Sequence, residues 1–220
     1  MGRRAVRKLK NVPELAKWLL EPTALPRPWS ASDIFGRAAP LEVEVGSGKG
    51  LFLLSAAPAA PQHDFLGIEV AAKYATFAAA RLAKADVPNA VVVHGDAQAI
   101  FREVLPPCSV AAVHVYFPDP WWKARHRKRR ILNEAFLAAV ERALIAGGAL
   151  HFWTDVEEYH QSTLAIIPQA TRLEGPLPVA EIPAAHDLDY RTHFERRMRQ
   201  SNLPVYRAQF RKPDVASGVS

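Results

Sequence analysis

Residues 41–57 read LEVEVGSGKGLFLLSAA. Leu41 to Val45 alternates apolar and acidic side chains, the period of a strand, and an apolar segment of helical character follows from Leu51 to Ala57. Between them stands Gly46-Ser47-Gly48-Lys49-Gly50, whose glycines let the backbone turn sharply and approach a ligand where a Cβ would intrude. The unit is a strand, a glycine turn and a helix.

Outward from this unit the same alternation recurs. Asp64 to Val70 (DFLGIEV) reads as a strand and Ala71 to Ala85 as an alanine-rich helix. Val91 to His94 reads as a third strand, leading into Gly95-Asp96-Ala97 and a short helix near Gln98 to Val104. A fourth strand, Val113 to Phe117, is stopped by Pro118 and Pro120, and Leu132 to Ala146 has helical spacing that Gly147-Gly148 ends. Ala149 to Trp153 is a fifth strand, ending at Thr154-Asp155. Such alternation predicts an α/β fold with a doubly wound parallel sheet. Further on, residues 156–168 and a stretch around Thr192 to Arg199 are predicted helical, a strand around Val205 to Phe210 completes the sheet edge, and the proline-interrupted 170–185 gives no assignment. In the first 40 residues, Pro13, Pro22, Pro26, Pro28 and Pro40 leave room only for a short helix at Glu14 to Leu20. The expected organisation is a basic, proline-rich extension (1–40), one catalytic domain (41–212) and a disordered tail (213–220).

With 220 residues, 49% of them hydrophobic, the chain can bury a full core. Cys108 is the sole cysteine, which rules out an intramolecular disulfide and a cysteine-built zinc cluster and suits a reducing cytoplasm. No apolar run approaches the length of a membrane span, and Arg3-Arg4 is not followed by the apolar core of an export signal. The expected protein is cytoplasmic, with no membrane, metal or obligate protein partner. The net charge is +6, yet the basic residues gather in 1–10, 123–130 and 191–212, and the remainder is acidic. Three separate basic segments on an acidic body form the electrostatic footprint of a reader of polyanions, nucleic acid before membrane.

The glycine turn admits three nucleotide readings. A phosphate-binding P-loop fails, because position 43 is Val and position 50 is Gly. A dinucleotide fingerprint requires glycine where Leu51 stands, and survives only weakly. The third, GxGxG preceded by the acid Glu44, is the turn that binds S-adenosylmethionine, a cationic sulfonium that needs no phosphate cradle. Glu69 can accept from ribose hydroxyls and Asp96 from an adenine amine. Singly, each acid is an ordinary cap or turn residue. Glu44, Glu69, Asp96 and Asp119, however, fall at four successive strand ends.

Asp119 stands in His114 to Arg130, HVYFPDPWWKARHRKRR, held in a rigid turn by two prolines. At a strand's carboxyl end, where open α/β sheets bind ligands, it is followed by six Lys or Arg among eight residues from Lys123. A solvated charge run is the bland alternative.

EVGSGKG, GIE, GDA, PDPWWKARHRKRR, Thr154-Asp155 and Thr192-His193-Phe194-Glu195 together resemble the bacterial tRNA (guanine-N(7)-)-methyltransferases, in that family's order across residues 41–195. The first three motifs occur in many methyltransferases; PDPW followed by K-x-R-H-x-K-R-R is far more specific. The resemblance implies a Rossmann-like class I methyltransferase fold with a mostly parallel seven-stranded sheet, S-adenosylmethionine as methyl donor, and the variable-loop guanine of tRNA as acceptor. It implies cofactor binding by Glu44, Gly46, Gly48, Glu69, Asp96, Ala97 and Asp119, with Asp119 also catalytic. Lys123, Asp155, Thr192, His193, Phe194 and Glu195 would contact substrate, and Arg125, His126, Arg127, Lys128, Arg129 and Arg130 would contact RNA. Trp122 departs from the family's pattern, where Pro or His is more usual.

Three other classes account for less. A dinucleotide-dependent oxidoreductase leaves PDPWWK unexplained, a non-catalytic RNA-binding protein leaves four acids at strand ends unexplained, and a small-molecule methyltransferase leaves the charge unexplained.

Overall fold

A computed structural model describes residues 14–179 and 203–214, together with 192, 195, 198, 200 and 201. The central unit forms as read: β2 (Leu41–Val45) enters the glycine turn and α2 (Leu51–Ala59) leaves it. It is followed by β3 (Asp64–Glu69), α3 (Ala72–Lys84), β4 (Ala90–His94), α4 (Ala97–Glu103) and β5 (Val110–Tyr116). Then come α5 (Glu134–Ala143), β6 (Leu144–Thr154), α6 (Glu157–Ala170), β7 (Glu174–Leu177) and β8 (Tyr206–Arg211). Ahead of them lie β1 (Leu19–Leu20) and α1 (Ala31–Phe35).

Among the described residues the sheet has eight strands, one more than the seven expected, in the order β1-β4-β3-β2-β5-β6-β8-β7. Neighbours from β1 to β6 run parallel, and β8 is antiparallel to both β6 and β7. The additional edge strand comes from the proline-rich segment, where Leu19-Leu20 pairs with Val92-Val93 instead of ending a helix. Trp18 explains the outcome: its buried indole donates to the Val87 carbonyl at 2.7 Å, and its own carbonyl accepts from Val92 N at 2.9 Å. An exposed β4 edge and a tryptophan needing burial outweigh local helix propensity.

The helix read at Leu132 to Ala146 is shorter at both ends. Asn133 caps it, accepting from Phe136 N at 3.1 Å, and the chain is already a strand at Leu144, bending at Gly147 with φ 71°. β7 lies in the stretch that gave no assignment; all four of its residues are exposed, so no apolar alternation announced it. The helix expected at Thr192 to Arg199 falls largely outside the described residues; of those described there, Glu195 and Met198 are helical, as is Gln200 after them. Residues 1–13 and 215–220 also lie outside them.

Both faces of the sheet are covered, which is why β3 is buried at all six positions. Val43, Val45, Val113, Val115, Leu150 and Phe152 point to one face, under α4, α5 and α6, with Phe101, Phe136 and Tyr159. On the other face Phe52, Leu53, Phe65, Ala75, Ala78 and Leu82 fill the space under α2 and α3. Successive units run outward from β2 to β3 and β4, and the chain then returns to place β5 on the opposite side of β2. β2 and β5 therefore flank the switch point, the crevice where such sheets bind ligands. Val45 pairs with both Ile68 and Val115, so the carboxyl ends of β2, β3 and β5 are level.

Candidate active site

The glycine turn sits at the carboxyl end of β2. Gly46, Gly48 and Gly50 all have positive φ (78°, 54° and 68°), a region costly for residues with a Cβ. A Cβ on Gly46 would meet nothing within 4 Å, whereas one on Gly50 would come within 2.8 Å of the Ala78 Cβ. The turn is thus open above and packed tightly onto α3 behind.

Two acids lie at its base, Glu44 on β2 and Glu69 at the end of β3. Glu69 accepts from Gly48 N through Oε2 and from Ala71 N through Oε1, both at 2.8 Å, and so ties the turn to the end of β3. Glu44 is only 3% exposed, and its Oε2 has no hydrogen-bond partner among the described residues. Burial, reinforced by the charge of Glu69, pushes its carboxyl up to about 8. A buried acceptor without a donor is costly, and two adjacent carboxylates call for a cation or for N–H and O–H donors. The ammonium and ribose hydroxyls of S-adenosylmethionine are groups of that kind, so the donor set fits.

Asp96 caps α4, accepting from Gln98 N at 2.9 Å through Oδ1. It is exposed, and a carboxylate has a second oxygen, so capping and ligand binding are compatible. Ala97 is buried, which leaves its backbone as the part able to meet a ligand.

Level with the glycine turn, β5 ends in Phe117-Pro118-Asp119-Pro120-Trp121. Phe117 and Trp121 both adopt left-handed backbone, φ 49° and 47°, a conformation that costs such residues about 1–3 kcal/mol each. Strain of this kind bracketing one exposed carboxylate, Asp119, at a switch point marks a functional loop. Phe117 N donates to the Trp153 carbonyl at 2.8 Å, anchoring the loop's first residue to β6.

The basic run continues as a 3-10 turn from Ala124 to Arg129. Lys123, Arg125, Arg127, Lys128 and Arg129 are exposed and His126 is half-buried. Arg130 is not part of that surface. It is 7% exposed, donating to the Pro120 carbonyl at 2.8 Å, to Ser162 Oγ at 3.1 Å and to Glu158 at 2.6 Å, and stacking over the Tyr159 ring. Its guanidinium pins the Asp119 turn to α6, so of the six residues expected to contact RNA Arg130 is the one the fold buries. Arg130→Ala should cost roughly 2 kcal/mol, discounted because Glu158 is half exposed, against less than about 0.5 for Lys128→Ala; chemical denaturation measures both.

Residues 38–208 match the model of the family described as "Putative methyltransferase". The chain is 47% identical over 218 residues to a tRNA (guanine-N(7)-)-methyltransferase of Rhodopirellula baltica, covering 96% of this chain and 80% of that relative. It is 36% identical to the enzyme of the same name from Sodalis glossinidius, covering 84% and 78%. The chain belongs to the tRNA (guanine-N(7)-)-methyltransferase family. Its fold is that of S-adenosylmethionine-dependent methyltransferases: one from Aquifex aeolicus superposes with a TM-score of 0.55 at 15% identity, covering 79% of this chain and 82% of that one.

Within this member of the tRNA (guanine-N(7)-)-methyltransferase family, two further expected substrate residues, Asp155 and Glu195, lie around the end of β6. Thr154 is buried and accepts from Val156 N at 3.2 Å, and Asp155 beside it is half-buried. Thr192 Oγ1 accepts from Glu195 N at 3.0 Å, a helix cap. Glu195 is buried and faces Arg207 at 3.4 Å, whose guanidinium lies over the Trp153 ring. His193 and Phe194 are outside the described residues.

The structure adds a polar chain that the sequence reading missed. Glu42 meets His114 Nε2 at 2.7 Å and His63 Nδ1 at 2.5 Å, and His114 Nδ1 reaches the Tyr116 hydroxyl at 2.9 Å. His114 is buried and stacks on His151, ring centres 4.8 Å apart. Burial alone would raise the Glu42 carboxyl, but His114 and then His63 bring it down to about 2. A signal was present: Glu42 and Glu44, His114 and Tyr116, and His151 and Trp153 share strand parity on three adjacent strands. Strand order alone makes them neighbours, and sequence does not print it. Among the described residues, no group of three or more His, Cys, Asp or Glu could hold a metal ion, and no helix is long and apolar enough to cross a membrane.

Proposed function

We propose that this protein transfers a methyl group from S-adenosylmethionine to nitrogen 7 of a guanine in the variable loop of tRNA. The supporting observation is the level placement, across the β2/β5 switch point, of Glu44's unpartnered buried oxygen and the strained Asp119 turn. Bound S-adenosylmethionine supplies an electrophilic methyl group on a positively charged sulfur. Guanine nitrogen 7 has an in-plane lone pair and no proton, so no general base is required before attack, and alignment dominates.

Glu44, Glu69 and Asp96, with the turn at Gly46 and Gly48, hold the donor. Asp119 stands where positive charge passes to the purine and stabilises it there. Asp155 and the Thr192 to Glu195 segment complete the pocket for the base, which must leave its stack to be reached. Lys123 and the exposed Arg125 to Arg129 run grip the RNA backbone, and the cytoplasm is where the substrate resides.

Transfer of labelled methyl to unmodified tRNA, followed by mapping of 7-methylguanosine, tests the whole reading. Label in the variable loop is expected; label on another base, or none on tRNA, overturns it. The basic run has its own test. If Arg127 and Lys128 neutralise phosphates, Arg127→Ala with Lys128→Ala should flatten the slope of log affinity against log salt by somewhat under about 2. Arg127's weak pairing with Glu158, 3.4 Å on the surface, does not compete strongly with phosphate. An unchanged slope over several salt concentrations removes the pair from the interface.

A further inference from the structure

The two consecutive tryptophans of the active-site loop have opposite environments. Trp121 is half-buried, its ring flanked by the Arg129 guanidinium at 5.1 Å and the His126 edge at 6.0 Å, so it serves as the small core of the loop. Its left-handed backbone turns the chain there, and the next side chain, Trp122, is 66% exposed. Most exposed apolar side chains have no meaning singly, but an indole is the largest apolar group a chain can present to water. This one is on a loop built with strain, three residues after the exposed carboxylate Asp119 and just before the exposed cations Lys123 and Arg125. An aromatic face among cations that grip a phosphate backbone is the composition of a base-stacking platform.

We propose that Trp122 is a nucleobase-stacking residue: its ring receives an unstacked base of the bound tRNA while Lys123 and the following arginines hold the adjoining phosphates. The inference rests on the functional reading above and names the surface by which RNA is seated next to Asp119. The occupant is a nucleobase and not a protein side chain, because the surface around the indole is strongly cationic and the loop carries no second large exposed apolar group. Stacking is indifferent to base identity, so Trp122 adds affinity and register while the pocket supplies the choice of guanine.

Equilibrium binding of unmodified tRNA by the full chain tests this. Trp122→Ala should weaken tRNA binding about 10-fold or more, with the salt slope and S-adenosylmethionine affinity unchanged, since neither a phosphate nor the cofactor contact is lost. Trp122→Phe should restore most of the affinity and Trp122→Leu should not, because Leu offers apolar area without an aromatic face. In the wild type, tRNA should quench part of the tryptophan emission, and that part should be absent in Trp122→Phe although binding persists. Wild-type affinity in Trp122→Ala, or equal rescue by Leu and Phe, overturns the proposal. So does a change in sedimentation of Trp122→Ala with unchanged tRNA affinity, which would assign the indole to a protein contact. Failure of the functional reading looks different: the wild-type chain then places no methyl on tRNA, whatever Trp122 does to binding.

Discussion

Asp119→Ala lowers kcat for methyl transfer by about 100-fold or more, while S-adenosylmethionine affinity stays within a few-fold of wild type and the fold is retained. The rate effect follows from the proposed role: removing a charge that faces developing positive charge costs on the order of 3 kcal/mol of transition-state stabilisation, which is about two orders of magnitude. The small stability effect follows from exposure, and Arg130 on the Pro120 carbonyl and Phe117 on Trp153 still hold the turn in the variant. Single-turnover measurement with saturating tRNA separates the chemical step from binding. Wild-type turnover would remove Asp119 from the reaction centre, and an equal loss of cofactor binding would make it a binding residue instead.

Glu44→Gln should stabilise the ligand-free protein at alkaline pH and weaken cofactor binding by about 10-fold or more. The folded carboxyl titrates at about 8 against an ordinary 4.5, so between those values the unfolded chain is ionised while the folded one keeps its proton. Stability from this group is fully present below 4.5 and is lost as pH rises through 8, at most about 1.4 kcal/mol per pH unit. Glu42 has the opposite sign: depressed to about 2, it contributes stability above 4.5 that is lost as pH falls toward 2. The substitution at Glu44 should therefore remove the decline of the melting temperature between pH 4.5 and 8 and leave the acid limb in place. Cofactor affinity of the wild type should rise with pH toward 8, because a cation binds best to the ionised carboxylate and displaces the proton from it. Calorimetry in buffers of different ionisation enthalpy should read proton release at pH 7 for the wild type and none for the variant. No release from the wild type would mean that Glu44 does not meet the cation.

Local sequence determined most of the frame of this protein. Period-two alternation in LEVEV, glycines in GSGKG, prolines around Asp119 and the charge run behind it act through backbone geometry and short-range sterics, which a linear reading captures. So the β2–α2 unit, the parallel sheet and the acids at its strand ends were legible. Competition between distant segments was not. Trp18 and the open edge of β4 turned an expected helix into an eighth strand, since burial of an indole and pairing of an edge outweigh propensities of a few tenths of a kcal/mol per residue. Arg130 was one more cation in a run until the fold brought Glu158, Ser162 and Tyr159 of α6 around it. His63 and His114, 21 and 72 residues from Glu42 along the chain, meet it only because β3 and β5 are the two neighbours of β2. Which charges of the run stay exposed and which hold the loop in place is a matter of burial, and burial is decided by the tertiary structure.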